Sequence, residues 1–220
     1  MRRKQYEPLS YITQTKEFWS LCFDVNHNVL IPRPETEIIV EQVIRKFRLK
    51  NSINILDIGT GSGCILLSIL SELKNSQGTG IDKSSRAIDI AKKNSKKLKL
   101  LKRAKFIHRD VDNYDIGNYD VIVSNPPYIC SNGINYLSED IKGFEPRMAL
   151  DGGNSGVEII NKVILKAKKL LKNGGSLFIE IGNDQFCAVS SILVTNGFRL
   201  VKKFFDNRKT VRCIMSTKLI

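Results

Sequence analysis

The sequence has little of what metal and disulfide sites are built from. It contains five cysteines and two histidines. The cysteines, at 22, 64, 130, 187 and 213, are odd in number and never in C-x-x-C spacing. That argues against a disulfide framework or a zinc site and favours a reducing cytoplasm. His27 and His108 stand apart from each other, and a histidine in a strand pattern is more often structural than a catalytic base. Long apolar runs are missing too: CILLSIL (64–70) is far too short to span a bilayer. MRRKQYEPLS, at the start, is not followed by the apolar stretch a secretory signal needs. Finally, KKNSKKLKLLKRAK (92–105) has no acidic residue among eight Lys or Arg, in a chain of net charge +13. A basic groove for RNA is one reading. Aromatics for stacking single-stranded bases are absent from that segment, so a solvated lysine-rich helix face is favoured. A weak nucleic-acid contact through Lys92 to Lys105 stays as an expectation.

What is present is the composition of a globular protein. The 220 residues are 42% hydrophobic and 26% charged, which suits one large domain or one domain with a short extension. From residue 51 onward, strand and helix patterns alternate. INILDIG (53–59), GTGIDK (78–83), KFIHRD (105–110), YDVIVSN (119–125) and SLFIEIG (176–182) read as strands. The segments 62–74, 84–97, 155–172 and 184–196 read as helices, with Ser84 or Ser85 capping the second and Asn173-Gly174-Gly175 ending the third. FRLVKKFF (198–205) and TVRCIMST (210–217) flank the DNRK turn as antiparallel neighbours. The pattern predicts a doubly wound, mostly parallel α/β sheet of seven strands, flanked by helices. Residues 1–50 form an extension. YITQTKEFWSLCFDV (11–25) suggests a hairpin, and a helix spans 34–47, opened by Pro34 with Glu35 and Glu37 in its first turn.

Polar signals fall just after the strands. DIGTGSG (57–63) places Gly59, Thr60, Gly61, Ser62 and Gly63 in a G-x-G-x-G loop, so the strict dinucleotide fingerprint is absent. Asp82 ends the next strand, at an offset where a carboxylate can accept both hydroxyls of a ribose. Asp110 ends the following one and is suited to an adenine amino group, with Val111 beside it. Asn125-Pro126-Pro127-Tyr128 terminates the strongest strand, because proline cannot continue a ladder. In a doubly wound sheet that strand lies beside the first, where ligands bind outside the carboxyl ends of the strands.

DIGTGSG together with NPPY resembles the motif set of S-adenosylmethionine-dependent amino-methyltransferases of class I. EPLSYITQTKEFWS, VLIPRPETE and GFEPRMALDGGNSG (143–156) narrow this to a resemblance to the HemK/PrmC family, which methylates the side-chain amide of a glutamine in peptide chain release factors. The resemblance runs from about Glu7 to the end. It implies S-adenosylmethionine as cofactor, class-1 release factors as partners and a cytoplasmic enzyme, with no metal and no membrane. The cofactor would be held by residues 59–63, Asp82, Asp110, Val111 and Asn125, and the acceptor by Asn125, Pro126, Pro127 and Tyr128. Three features depart from the family: no room for the usual N-terminal helical domain, Gln14 where the hairpin normally carries glycine, and Val111 where an aromatic could cover the adenine.

An amide nitrogen is a poor nucleophile because its lone pair is delocalised into the carbonyl. Asn125, through its side-chain oxygen, and the Pro126 carbonyl can accept the two N–H bonds and aim the nitrogen, while Tyr128 can stack on the flat amide. Pro126 and Pro127 keep that corner rigid. Positioning is then the main device and no strong base is needed. The same corner suits adenine N6, so an N6-adenine methyltransferase acting on RNA or DNA is the alternative. A non-catalytic module that only binds a partner is the third reading, against which Asn125 and Tyr128 weigh.

Overall fold

The computed structural model describes residues 2–219. A short helix α1 (Leu9–Thr13) precedes the hairpin strands β1 (Thr15–Phe18) and β2 (Leu21–Asp24), and a 3₁₀ turn at Pro34–Thr36 leads into α2 (Glu37–Phe47). The alternating part follows: β3 (Asn54–Ile58), α3 (Cys64–Glu72), β4 (Gln77–Asp82), α4 (Ser85–Lys97), β5 (Ala104–His108) and β6 (Tyr119–Ser124). An excursion then carries the short strand β7 (Ile129–Cys130), helix α5 (Glu139–Lys142) and strand β8 (Asp151–Gly153). Helix α6 (Glu158–Leu170), strand β9 (Leu171–Glu180), helix α7 (Phe186–Thr195) and strands β10 (Phe198–Phe205) and β11 (Val211–Lys218) complete the chain.

Seven strands form the central sheet in the order β10-β11-β9-β6-β3-β4-β5. The pairings among β3, β4, β5, β6 and β9 are parallel, while β11 runs antiparallel to both its neighbours. The strand order reverses between β3 and β6, as the alternation predicts. One face carries α2, α3 and α4 over a core that includes Ile55, Leu66 and Phe178; the other carries α6 and α7 over Leu56, Ile122 and Leu177. The inner strands are buried on both faces, which is why they read as continuous apolar runs. In α2, Ile39, Val40, Val43 and Phe47 repeat at helical spacing and are all buried, with Glu37 in the first turn and Arg45 and Lys46 in the last.

The N-terminal segment shares this core. Phe18 and Phe23, both buried, pack in the same apolar cluster as α2 and α3. Asn94 of α4 fastens the hairpin: its Oδ1 accepts the Asp24 N–H at 2.7 Å, and its Nδ2 donates to the Asp24 carbonyl at 3.0 Å and the Ser62 carbonyl at 2.9 Å.

Local details differ from the sequence reading. The hairpin occupies residues 15–24 rather than 11–25. Pro8 gives the preceding segment a helical start, Thr13 Oγ1 bonds back to the Leu9 carbonyl, and Gln14 closes α1 in the left-handed conformation at φ 58°. The third predicted helix stops at Leu170, and Asn173-Gly174-Gly175 becomes an irregularity inside β9, whose pairing with β6 jumps from Leu171 to Ser176. Ser84 caps α4 as expected, accepting the Ala87 N–H.

Candidate active site

The site is assembled where β3, β4, β5 and β6 end. Gly59 and Thr60 both donate their N–H to the Ile81 carbonyl at 2.9 Å, folding the glycine loop across the end of β4. Gly59 and Gly61 hold φ of 74° and 54°, so a side chain at either would be strained even though space is free. Asp82 braces the loop: Oδ2 accepts the Gly61 N–H at 2.9 Å and Oδ1 the Ser84 N–H at 2.8 Å. Burial holds its carboxyl above the ordinary range, with those N–H groups working in the opposite direction. Each oxygen keeps a lone pair for a ligand. Asp110 Oδ1 accepts the Asp112 N–H at 3.1 Å, and its Oδ2 lies 3.1 Å from Lys83 Nζ. Burial opposes its ionisation, but the Asp112 N–H and Lys83 together leave its pKa lowered.

A cavity of about 360 Å³ runs along this edge. Of the residues singled out in the sequence, Gly59, Thr60, Gly61, Ser62, Asp82, Asp110, Val111, Asn125, Pro126 and Pro127 line it, while Gly63 and Tyr128 do not. Gly63 starts α3, where a Cβ would crowd Leu67 and Ala91. The opposite wall comes from Pro32, Arg33 and Thr36 ahead of α2, and from Pro146, Met148 and Ala149 after α5. These are the PRPETE and FEP segments. Arg33 and Glu145 form an ion pair that joins them, and Glu145 also accepts the Ile31 N–H at 3.2 Å.

The Asn-Pro-Pro-Tyr corner is held from behind. Asn125 Nδ2 donates to Thr36 Oγ1 at 3.0 Å, and the Thr36 hydroxyl donates to Glu180 Oε2 at 2.7 Å. Glu180, at the end of β9, is fully buried and its carboxyl is pushed up to about 7 by burial, with Thr36 and Arg212 acting against the rise. Tyr128 packs against the apolar cluster beneath α6 and α7 and is not among the residues that line the cavity. Burial, and next the charge of Glu180, push its phenol up to about 12. Gln185 Nε2 donates to the Tyr128 carbonyl at 2.9 Å and the Gly156 carbonyl at 3.1 Å, and its Oε1 accepts the Gly182 N–H at 2.9 Å. Strand β8 pairs with β7, and a Cβ at Gly152 would come within 2.8 Å of the Pro127 carbonyl and of Tyr128 Cα. The segment GFEPRMALDGGNSG therefore packs directly onto the corner.

Three residues of the site escaped the sequence reading. Thr36 and Glu180 gave no signal of their own, because their roles depend on a contact 144 residues apart in the chain. Asp57, the first residue of DIGTGSG, is fully buried beneath the loop, where its Oδ2 accepts the Thr60 hydroxyl at 2.6 Å. Burial, opposed by Thr60 and reinforced by Asp82, pushes its carboxyl up to about 7. Its Oδ1 and the neighbouring Ser62 Oγ are buried without a partner. The unpartnered Ser62 hydroxyl in the cavity wall, braced carboxylates at two strand ends and a glycine loop offering backbone N–H groups fit a ligand that carries ribose hydroxyls and an amino-acid end. S-adenosylmethionine is such a ligand. Among the described residues, no cluster of three His, Cys, Asp or Glu is placed to hold a metal ion, and no helix is long and apolar enough to cross a membrane.

The basic segment is partly consumed by the fold. Lys93 and Lys97 pair with Asp24 at 2.8 and 2.7 Å, and Arg103 donates to the carbonyls of Leu70, Leu73 and Ser76 around the end of α3.

Comparison with known proteins places this geometry. Residues 49–211 match the family model described as a methyltransferase domain. The chain is 39% identical over 218 residues to the release factor glutamine methyltransferase of Caulobacter vibrioides, covering 99% of this chain and 75% of that one. It is 42% identical to the protein of the same name from Thermodesulfovibrio yellowstonii, covering 93% and 74% respectively. The chain belongs to the release factor glutamine methyltransferase family. Membership makes it a methyltransferase, with S-adenosylmethionine as its methyl donor, and matches the resemblance carried by IPRPETE, NPPY and FEP. The fold agrees: a methyltransferase from Pyrococcus furiosus superposes with a TM-score of 0.70 over 100% of both chains at 18% identity. The catalytic domain of human Mettl16, solved with an RNA hairpin, superposes with a TM-score of 0.72 over 92% of this chain and 77% of that one, also at 18% identity.

Proposed function

We propose that this protein transfers a methyl group from S-adenosylmethionine to the side-chain amide nitrogen of the glutamine in the Gly-Gly-Gln motif of class-1 peptide chain release factors. The observation that carries the reading is that the glycine loop with Asp82 and the corner Asn125-Pro126-Pro127 line one cavity, so donor and acceptor meet in it. Relatives named release factor glutamine methyltransferase at 39% and 42% identity support the reading, and a reaction on release factors would run in the cytoplasm.

When bound, S-adenosylmethionine supplies an electrophilic methyl on a cationic sulfur. The residues of the chain do the rest. Gly59, Thr60, Gly61 and Ser62 hold the amino-acid end through the loop, Asp82 takes the ribose hydroxyls, and Asp110 with Val111 flanks the adenine. Asn125 Oδ1 and the Pro126 carbonyl each accept one N–H of the glutamine amide and turn its lone pair toward the donor. Holding the reacting nitrogen in a near-attack position is worth effective molarities of about 10⁵ M or more, enough to make a strong general base unnecessary. The proton leaves to solvent once the nitrogen has become cationic. Tyr128, packed against the apolar cluster beneath α6 and α7, helps to fix the direction of the corner.

The test is to incubate the protein with labelled cofactor and a release factor whose Gly-Gly-Gln glutamine is intact or changed to alanine. Label on the intact factor alone supports the reading. Equal label on both overturns it, and methyladenosine in digested nucleic acid would put an N6-adenine activity in its place.

A further inference from the structure

We propose that Thr36 and Glu180 are positioning residues that set which end of the Asn125 amide faces the acceptor. The proposal rests on the reading of Asn125 as an acceptor-holding group, and it deepens that reading. A side-chain amide has two ends of nearly equal shape and opposite hydrogen-bonding character. If Asn125 presented its NH₂ to the cavity, it would repel the glutamine N–H groups it has to hold. The corner therefore needs a device that tells the two ends apart.

The chain Asn125 to Thr36 to Glu180 is that device. A threonine hydroxyl has one proton. Thr36 spends it on Glu180 Oε2 at 2.7 Å, so only lone pairs face Asn125. Those lone pairs take the Nδ2 end at 3.0 Å and would repel Oδ1. Thr36 and Glu180 are each 2% exposed, so water cannot substitute for either. In its ionised form the Glu180 carboxylate is an acceptor only, which fixes the direction of the chain. The partner Thr36 comes from PRPETE, which gives that segment a chemical task beyond starting a helix.

The experiment compares Thr36→Val, Thr36→Ser and Glu180→Gln with the unmodified enzyme, using S-adenosylmethionine and intact release factor. Valine keeps the shape and loses the hydroxyl; serine keeps the hydroxyl. Thr36→Val is expected to lower kcat by on the order of tenfold, the worth of one hydrogen-bond preference, with cofactor affinity and KM for the release factor within about threefold. Thr36→Ser is expected to restore kcat to within about threefold of the unmodified enzyme. Glu180→Gln, whose amide can donate to Thr36 and free its proton, is expected to lower kcat as well, and it decides the matter should Thr36→Val fail to fold. Unchanged kcat in Thr36→Val or in Glu180→Gln, or equal loss in the valine and serine variants, would overturn the proposal. Asn125→Ala separates the two levels. If it keeps full kcat, the role of Asn125 itself fails. If it abolishes transfer while Thr36→Val does not, only the positioning role fails.

Discussion

Arg33 and Glu145 stand 112 residues apart in sequence and meet as an ion pair, with Arg33 lining the cavity and Glu145 buried beside it. Glu145 is almost wholly buried, whereas about a third of the Arg33 side chain meets solvent. Burial raises the Glu145 carboxyl, and Arg33 acts against that rise. Removing the acid leaves a guanidinium and the Ile31 N–H facing a void. Glu145→Ala should cost roughly 2 kcal/mol by urea unfolding. It should also weaken cofactor binding by calorimetry, because both wall segments lose their link.

Asp82 performs two tasks with one carboxylate, bracing Gly61 and Ser84 while keeping lone pairs for a ribose. Asp82→Asn exchanges one acceptor oxygen for a donor. S-adenosylmethionine affinity should fall by at least about tenfold, the equivalent of one lost charge-assisted bond. A variant that binds the cofactor normally would show that the ribose lies elsewhere.

The buried carboxyl of Asp57 makes stability depend on pH. Its folded pKa is about 7 against an ordinary 3.8. An acid raised on folding stabilises fully below its unfolded pKa, and that contribution is lost as pH rises through the folded one. In the absence of cofactor, the urea midpoint should therefore fall between pH 5 and pH 8.5. Asp57→Asn should flatten that fall, gaining on the unmodified protein by up to roughly 3 kcal/mol between pH 5 and pH 8.5. Parallel curves for the two proteins would contradict the assignment.

Gln14 holds a left-handed backbone that glycine adopts without strain. Gln14→Gly should stabilise the protein by about 0.5–1 kcal/mol in chemical denaturation, leaving kcat unchanged. The position is the C-cap of α1 and is not among the residues that line the cavity.

Much of this was legible before any coordinates. The seven strands announced themselves because the inner ones, such as Tyr119–Ser124, are buried on both faces and must be apolar without a break. Glycines 59 and 61 and the carboxylates at 82 and 110 sit where a strand ends, and strand ends are easy to place. Other features were hidden for physical reasons. Two-residue strands such as β7 have no periodicity to detect. The direction in which Tyr128 points depends on the space above Gly182, which only the packed structure defines. Thr36 reads as an ordinary member of a helix start, and its hydroxyl acquires meaning only once Glu180 arrives at the end of β9, the strand next to β6.

Gly152 bears no side chain because the Pro127 carbonyl and the Tyr128 backbone already fill the place one would take. The tetrapeptide at the sheet tip is thus moulded by a second stretch of chain pressed against its back. Transplanting those four letters onto another sheet would move the spelling and leave the shape behind.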